Sequence, residues 1–262
     1  MSAPHKPVAG SQRRPGSNVI TVLSGKGGVG KTWLAITLAH ALAGTGKRTL
    51  LFDGDLGLAN VDIQLAFTPE RDLSLVISGR QRLADVVTPY PEGGFDIIVG
   101  RSGSGNLALL PSAVRHALRT ELIEIADTYD TAVIDLGAGI GQTVRDLAVY
   151  DGTCLLVATD DPTSLTDAYA LIKLITAERP GCDLRIVINQ AKSPTGGRHT
   201  YQALHRSCQD FLKISPPLAG VIRHDRHVRD AIRHQTPLLT RHPNANAAED
   251  VGALASALAD GP

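Results

Sequence analysis

The sequence predicts an α/β fold built on a single doubly wound, mostly parallel sheet with helices on both faces. Short apolar runs rich in Val, Ile and Leu recur along the chain, and they are nearly continuous rather than alternating in polarity. Such runs are typical of parallel strands that are buried on both faces. Longer segments with helical periodicity separate them, as in βαβ units with right-handed crossovers. The 262 residues are enough for one such domain.

The predicted strands and helices alternate from the first strand to the last. Strands are expected at 19–23, 49–52, 95–99, 131–136, 153–158, 184–189 and 218–222. Helices are expected at 31–44, 112–127, 141–149, 164–178, 198–213 and 226–235, with a closing helix at 245–259. Residues 1–18, rich in Pro, Gly, Ser, Gln and Arg, are predicted to be a flexible lead-in, so that the domain spans 19–262.

Composition argues against several classes of protein. Hydrophobic residues make up 43% of the chain, which excludes intrinsic disorder of its body. Lys plus Arg number 26, as do Asp plus Glu, so net charge gives no support to general polyanion binding. No apolar run has the length of about 18 residues that a membrane span needs, and the N-terminus lacks a signal-peptide core. The cysteines Cys154, Cys182 and Cys208 have no metal-ligand spacing and indicate reduced thiols in a cytoplasmic protein.

A glycine-rich loop follows the first predicted strand. It reads Ser24-Gly25-Lys26-Gly27-Gly28-Val29-Gly30-Lys31-Thr32 and matches the phosphate-loop pattern G-x-x-x-x-G-K-[ST]. Glycines allow the backbone N–H groups to approach a polyanion closely, and the helix that begins near Lys31 adds its positive dipole end. Lys31 is expected to neutralise the β- and γ-phosphate oxygens, and the Thr32 hydroxyl is expected on Mg²⁺.

A second lysine, Lys26, opens this loop although an ordinary phosphate loop does not require it. The run from Lys26 to Thr32 resembles the deviant Walker A motif of the MinD/ParA family. The resemblance implies a P-loop NTPase fold, ATP and Mg²⁺ as cofactors, ATP hydrolysis and an ATP-sandwich homodimer. In that dimer Lys26 would contact the nucleotide of the other subunit, much as an arginine finger does. A solvated surface lysine is the alternative interpretation.

Two further strand ends carry carboxylates. Asp53 and Asp55 flank a glycine after the second strand, and by the resemblance this segment is switch I. Asp55 would then orient the attacking water, and Asp53 would belong to the Mg²⁺–water shell, although an ordinary acidic turn is the alternative. Asp135 ends an apolar strand in the Walker B arrangement, in which the carboxylate holds Mg²⁺. The segment 137–139 that follows it would be switch II.

Asn189 closes the strand predicted at 184–189, and in the family this position reads the edge of adenine. A turn-forming role is the alternative for a strand-end Asn. The family often has Ile-Pro-x-Asp after the next strand, whereas this chain has Ile222-Arg223-His224-Asp225 and lacks the proline.

The predicted catalytic residues are Lys26, Lys31 and Asp55, and the predicted metal-site residues are Thr32, Asp53 and Asp135. The predicted nucleotide-binding residues are Gly25, Lys26, Gly27, Gly28, Val29, Gly30, Lys31, Thr32, Trp33 and Asn189.

Two segments are similar to the FlhG/FleN branch, the MinD-like ATPases that control flagellar number and placement. They are 55–62, which reads DLGLANVD, and 162–173, which reads PTSLTDAYALIK. In the second segment Ser164 and Asp167 predict a capping pair at the start of a helix. The resemblance implies partners in flagellar assembly: the signal-recognition-type GTPase FlhF, a transcriptional activator or a switch/C-ring protein. Recruitment to the cell pole or membrane would then occur through these partners.

Other members of the family leave alternatives open: a division-site ATPase, a partition or cargo-positioning ATPase, or a nucleotide-binding scaffold without turnover. Residues 1–18 lack the Asp-Gln-Ala stretch that engages FlhF. The Ala-rich last segment carries Glu249, Asp250 and Asp260 and no Lys or Arg, so no stable membrane anchor is expected.

The Arg- and His-rich segment 223–242 is interpreted as a solvated helix face, with an acidic protein or a weak nucleic-acid contact as alternatives. No aromatic residues interleave with these cations, which argues against a surface that stacks single-stranded nucleic acid. DNA binding is not expected.

Overall fold

The computed structural model describes residues 14–55, 60–100, 110–148 and 151–259. One sheet carries eight strands: β1 Val19–Leu23, β2 Thr49–Gly54, β3 Thr88–Tyr90, β4 Phe95–Ile98, β5 Thr131–Leu136, β6 Thr153–Ala158, β7 Asp183–Ala191 and β8 Leu218–Arg223. Their spatial order is β3-β4-β2-β5-β1-β6-β7-β8. Every neighbouring pair is parallel except β3 with β4. The predicted fold class is confirmed.

Helices connect the strands on both faces of the sheet. They are α1 Lys31–Gly44, α2 Val61–Gln64, α3 Leu73–Ile77, α4 Ser112–Ala126, α5 Gln142–Leu147, α6 Pro162–Glu178, α7 Pro194–Ser207, α8 Arg226–Arg233, α9 Leu238–Arg241 and α10 Asn246–Ala259. A 3₁₀ turn at Leu83–Val86 precedes β3, and a π-helical turn at Cys208–Leu212 extends α7. Among the described residues, no helix has both the length and the apolar character that crossing a bilayer requires.

The hydrophobic core consists of two layers, one on each face of the sheet. Alternate residues of β1 enter different layers, with Val19 and Leu23 in one and Ile20 and Val22 in the other. Helices α4, α6 and α7 cover the first layer, whereas α1 and α10 cover the second. Because both faces are buried, the central strands need apolar side chains at every position, which explains their continuous apolar runs.

Strand boundaries follow the predictions most closely at the centre of the sheet. The structure reproduces the predicted bounds of β1, β5 and β6, while β2, β7 and β8 extend beyond them by one to three residues. The sequence analysis missed β3, an antiparallel edge strand of three residues that contains Pro89. A proline is tolerated at a sheet edge because no ladder hydrogen bond is needed from its nitrogen. So short a strand, with a proline at its centre, leaves no apolar run that would reveal it.

The first turn of α6 differs from the prediction. The helix begins at Pro162 and is capped by Asp161, whose side chain accepts a hydrogen bond from the Thr163 N–H. Ser164 lies inside the helix, 2% exposed, and its hydroxyl accepts a hydrogen bond from the Thr159 N–H instead. The predicted Ser164–Asp167 capping pair is therefore wrong. Proline is favoured at the first helical position because its fixed φ suits the helix and its missing N–H would be unsatisfied there.

Helix α7 begins four residues before the predicted start at 198. Ser193 caps it by accepting a hydrogen bond from the Gly196 N–H, and Pro194 follows in the first turn. The predicted start lies after Gly196 and Gly197, because glycine is unfavourable inside a helix. A Cβ on Gly197 would lie 2.3 Å from Cγ1 of Val221, so close packing of α7 on β8 requires glycine there.

The chain before β1 is partly held against the domain. Residues 1–13 of the predicted lead-in lie outside the described residues. Within 14–18, the Gly16 N–H donates to Oδ1 of Asp127 at 3.0 Å. The Asn18 side chain donates to the carbonyl oxygens of Ala126 at 2.7 Å and Tyr129 at 3.0 Å. These bonds fasten the entry to β1 onto the end of α4.

Two phenylalanines test which aromatic side chains stabilise the core. Phe52 is 0% exposed, whereas Phe211 is 75% exposed. We expect Phe52→Ala to lower the free energy of unfolding by about 3–5 kcal/mol, because it leaves a cavity between β2 and its covering helices. The matched control Phe211→Ala should change that free energy by less than about 0.5 kcal/mol. Urea denaturation followed by circular dichroism measures both, and equal losses would contradict the assignment of Phe52 to the core.

Candidate functional site

The carboxyl ends of β2, β5 and β1 are adjacent in the sheet, and the loops that follow them enclose one cavity. The cavity has a volume of about 690 Å³. Its lining includes the loop from Lys26 to Trp33, Asp55 after β2, and Gly137 after β5. Three separate sequence motifs therefore meet at the edge of the sheet where ligands bind in open α/β folds.

The glycine-rich loop has the conformation that an anion cradle needs. Gly28 and Gly30 have φ angles of 81° and 85°, in the left-handed region that glycine adopts without strain. No side chain caps α1 at Gly30. The positive end of the helix dipole and the first N–H groups of α1 therefore point toward the loop, an arrangement that favours phosphate.

Lys31 and Asp135 form a buried ion pair at the floor of the cavity. The distance from Lys31 Nζ to Asp135 Oδ1 is 2.5 Å, and the side chains are 6% and 0% exposed. Burial raises the pKa of the Asp135 carboxyl, while the charge and the hydrogen bond of Lys31 act in the opposite direction. The second oxygen, Oδ2, is buried and has no hydrogen-bond partner within the described residues. An orphaned carboxylate oxygen at this depth is suited to a further cation or a water bound to one.

Asp53 lies beside Asp135, because the two residues are paired in the register of β2 with β5. Its oxygens accept hydrogen bonds from the N–H groups of Asp55 at 3.1 Å and Val61 at 3.2 Å. Asp53 therefore joins the two ends of the predicted switch I segment, of which residues 56–59 lie outside the described residues. Burial, followed by the charge of Asp135, raises the pKa of Asp53 to about 8.

Asp55 lies between the two predicted switches. It lines the cavity, and its Oδ1 is 3.4 Å from the position that a Cβ on Gly137 would occupy. The segments after β2 and β5 are thus in contact beside the phosphate loop. The arrangement brings a carboxylate into the cavity beside the phosphate loop.

The residues present suit Mg²⁺ better than a metal that needs several protein ligands. In the part of the chain that the structure describes, no group of three or more His, Cys, Asp or Glu side chains could enclose an ion. The available donors are hard oxygens: the buried Oδ2 of Asp135, the Thr32 hydroxyl and the Asp53 carboxylate. Mg²⁺ prefers few protein ligands of this type, because it keeps several waters and takes others from a phosphate.

Lys26 lies outside this buried network. Its Nζ donates to Oδ2 of Asp161 at 2.8 Å and also to the Thr163 hydroxyl. The Lys26 side chain is 37% exposed, and its hydrogen bond lowers the pKa of Asp161 to about 2. The cap of α6 therefore holds Lys26, which also lines the cavity, within its own chain.

Asn189 contacts the phosphate loop at Val29 and Gly30. It is 3% exposed, its Nδ2 donates to the Val29 carbonyl at 2.8 Å, and its Oδ1 accepts from the Gln190 N–H at 2.9 Å. A Cβ on Gly30 would lie 2.5 Å from Nδ2. The side chain thus contacts the phosphate loop directly, a role that the sequence analysis did not predict.

A second cavity of about 280 Å³ adjoins this side of the loop. Trp33 and Asn189 line it, together with Gln190, His224, Val228 and Arg229, which the sequence analysis missed. For His224, the only signal in the sequence was its position directly after the end of β8. Asp225 caps α8 by accepting a hydrogen bond from the His227 N–H at 2.9 Å. This side of the second cavity therefore forms with Arg223 at the position where the family often has proline.

Part of the Arg- and His-rich segment 223–242 is neutralised within the fold. Arg223 pairs with Asp250 at 2.9 Å and with Glu249 at 3.1 Å. Asp230 accepts hydrogen bonds from Arg241 at 2.6 Å and from His242 at 2.7 Å. These bonds join β8 and α8 to α10 and α9, so the segment is less available as a basic surface than its sequence indicates.

Comparison with known proteins agrees with this geometry. Residues 20–238 match the model of the CobQ/CobB/MinD/ParA nucleotide binding domain. The chain belongs to this family. Over 230 residues it is 42% identical to the antiactivator FleN of Pseudomonas aeruginosa, a match covering 87% of this chain and 81% of that protein. Over 240 residues it is 28% identical to the flagellum site-determining protein YlxH of Helicobacter pylori, covering 91% and 81%.

Solved structures of MinD share the fold. The septum site-determining protein MinD from Pyrococcus horikoshii OT3, solved as a complex with Mg-ADP, superposes with a TM-score of 0.75 at 22% identity. The match covers 91% of this chain and 94% of that one. The predicted membership of the MinD/ParA family, near FleN, is confirmed.

Two glycines of the loop test how closely it packs on α6. A Cβ on Gly25 would lie 2.4 Å from the carbonyl carbon and oxygen of Asp167, whereas one on Gly27 would have no heavy atom within 4 Å. We expect Gly25→Ala to lower the unfolding free energy of the nucleotide-free protein by about 1–3 kcal/mol through overpacking. Gly27→Ala should cost less than about 1 kcal/mol. Urea denaturation of both variants measures this difference, and equal stability would contradict the close approach of α6.

Proposed function

We propose that this chain is an ATP-dependent switch that limits the number or placement of flagella, cycling between a monomer and an ATP-sandwich dimer. The observation that carries the proposal is the phosphate loop with both lysines, on a chain 42% identical to the antiactivator FleN. The similarity to the flagellum site-determining protein YlxH supports the same process. Its partners would be proteins of flagellar assembly: FlhF, a transcriptional activator or a switch/C-ring protein.

The cavity supports Mg²⁺ and ATP as the cofactors. Bound ATP would supply the phosphoanhydride bond that is broken, and Mg²⁺ would neutralise the negative charge of its phosphates. Residues 25–33 would surround the phosphates, with Lys31 as their cation, and Thr32 and Asp135 would hold the metal. Asp53 would join that group through water while keeping switch I in place. The base would occupy the cavity beside Trp33 and Asn189.

The positions of Asp55 and Lys26 support different roles for them. Asp55 lies in the cavity against switch II, where its carboxylate would orient a water and accept its proton. Lys26 lines the cavity and is partly exposed, so it would be able to contact the phosphates of a second subunit once it leaves Asp161. An exposed ion pair of this kind contributes little stability, and its loss is a small cost.

Exposed apolar side chains support a dimer through this face. The large exposed hydrophobic residues outside Phe211 are Ile63, Ile140 and Ile232, among the residues that the structure describes. Ile232 lines the cavity, and Ile63 and Ile140 are sequence neighbours of the lining residues Gln64 and Gly141. Apolar side chains that surround a functional site are typical of an interface. Two copies that meet through this face would cover them and close both cavities.

A division-site role that depends on membrane attachment gets no support from α10. Its apolar residues Ala247, Val251 and Leu254 are buried and pack with α1 and β8. The apolar face of this helix is therefore used within the domain up to Ala259. Residues 260–262 of the predicted acidic tail lie outside the described residues.

Two variants separate dimerisation from hydrolysis. Lys26→Ala should bind ATP in its own loop yet remain monomeric, because each dimer loses charge-assisted contacts that change the association constant by about tenfold or more. Asp55→Ala should bind ATP and stay dimeric, because it no longer orients water and no longer repels the γ-phosphate. Size-exclusion chromatography with light scattering, in ATP and Mg²⁺, measures both. Lys31→Ala is the control that should not bind ATP in calorimetry.

If Lys26→Ala and Asp55→Ala both dimerise transiently like the parent protein, the sandwich mechanism is wrong for this chain. Undiminished ATP affinity in Lys31→Ala would contradict the assignment of the phosphate loop itself.

Flagellar control is tested in the organism that carries this chain. Deletion of its gene should change the number or position of flagella counted by electron microscopy, with an increase expected by analogy to an antiactivator. The parent gene should restore the normal count, whereas Lys26→Ala should not. Normal flagella combined with defective cell division or plasmid loss would favour a positioning ATPase of another branch.

A further inference from the structure

Helix α8 is followed by a left-handed residue that is not glycine. Gln235 has a φ of 50°, and the N–H of the next residue, Thr236, donates to the Ala231 carbonyl at 3.1 Å, which closes the end of the helix. Glycine is the usual residue at this position of a helix end, because a Cβ is unfavourable in the left-handed region. The backbone of α8 by itself therefore gives no reason for a glutamine there.

The side chain of Gln235 contacts α2, the helix at the end of the predicted switch I segment. Its Nε2 donates a hydrogen bond to the carbonyl oxygen of Ile63 at 2.7 Å. Helix α2 has only four residues, so its carbonyl groups lack the partners that a longer helix would provide. The Ala66 N–H approaches the same oxygen only at 3.4 Å. Gln235 thus gives this short helix a closer partner from another part of the chain.

The start of α2 is attached to the carboxylates of the phosphate cavity. The Val61 N–H donates to Oδ2 of Asp53 at 3.2 Å, and Oδ1 of Asp53 accepts from the Asp55 N–H at 3.1 Å. Gln64, the residue after Ile63, lines the cavity. A displacement of α2 would therefore act on both carboxylates that are predicted to serve Mg²⁺ and the attacking water.

Helix α8 lies between the two cavities. Val228 and Arg229 line the smaller cavity, which is proposed for the base, and Ile232 lines both. Gln235 follows Ile232 by three residues, about one helical turn. One helix thus lies beside the expected position of the base and, through Gln235, contacts the carbonyl of Ile63.

We propose that Gln235 is a positioning residue that connects base binding to switch I. It holds α2 against the end of α8, so a base that fixes α8 also restricts the movement of α2 and of the carboxylates attached to it. Gln235 lines neither cavity in the described part of the chain, so it acts through Ile63 and not on the nucleotide itself. This inference rests on the proposed nucleotide site and adds a route from the base to the residues around the γ-phosphate.

Two substitutions remove the donor in different ways. Gln235→Gly deletes the side chain and suits the left-handed backbone, whereas Gln235→Glu keeps the size but at neutral pH has only acceptor oxygens. The matched control is Lys213→Gly, which changes another exposed left-handed residue, with φ 58°, that lines neither cavity. Thermal unfolding verifies that all three variants are folded, which the exposure of both positions makes practicable.

The contact itself is tested in the nucleotide-free protein by hydrogen exchange with mass spectrometry. The amides of Gln64 and Leu65 donate to the carbonyls of Asn60 and Val61 within α2. We expect them to exchange about two- to tenfold faster in both Gln235 variants, which corresponds to the loss of one hydrogen bond that restrains local opening. Lys213→Gly should exchange at these amides as the parent does.

The connection to the base is tested by comparing Mg-ADP with Mg-pyrophosphate, each at a concentration that calorimetry shows to be saturating. ADP is used because the proposed dimer requires ATP, so the protein remains monomeric. In the parent and in Lys213→Gly, ADP should slow exchange in α2 about two- to tenfold more than pyrophosphate, which has no base. In both Gln235 variants the two ligands should slow it equally.

Three outcomes would overturn the proposal. The nucleotide-free Gln235 variants exchange in α2 as Lys213→Gly does, ADP and pyrophosphate protect α2 equally in the parent, or the additional protection by ADP persists without the Gln235 amide. A parent protein that binds neither ligand in calorimetry would contradict the proposed nucleotide site and with it the connection to the base. The nucleotide-free exchange does not depend on that site, so the two failures are distinguishable.

Discussion

The buried ion pair between Lys31 and Asp135 is the contact on which the rest of the site depends. The two side chains are almost fully removed from water, and such a pair persists only when each charge neutralises the other. It joins the first residue of α1 to the end of β5 and so fixes the phosphate loop over the centre of the sheet. Because Lys31 uses one carboxylate oxygen, the other remains buried without a hydrogen-bond partner among the described residues.

Close packing around the loop follows from this fixed position. Gly25 contacts the backbone of α6, and Gly30 contacts the amide of Asn189, at separations that leave no space for a Cβ. Asn189 in turn donates to the carbonyl of Val29. The loop is therefore held between α6 on one side and the end of β7 on the other, and its residues line the cavity. A cradle that is prepared in this way binds phosphate without first being ordered.

The two lysines of the loop differ in burial and therefore in how strongly each is held by its ion pair. Lys31 is buried and its partner is fully desolvated, whereas Lys26 is 37% exposed and pairs with Asp161 at the surface. A buried pair is costly to break, but an exposed one is screened by water and contributes little. The first lysine of the motif is thus the movable one, which agrees with a role between subunits. Its partner Asp161 caps α6, so this exposed pair also connects the loop to the start of that helix.

The sequence by itself determined the features that depend on neighbours along the chain. Apolar runs defined β1, β5 and β6 with their observed bounds, and the loop from Gly25 to Thr32 was recognisable because its residues are contiguous. Tertiary structure alone decided which distant groups meet. Asn189 lies 160 residues from Val29, and Lys26 lies 135 residues from Asp161, so no local pattern records either contact. The same holds for the exposure of Phe211, since a sequence identifies an aromatic residue as apolar but does not show whether another element covers it. Strand order and helix packing decide such contacts, because they bring distant segments together only once the whole sheet has formed.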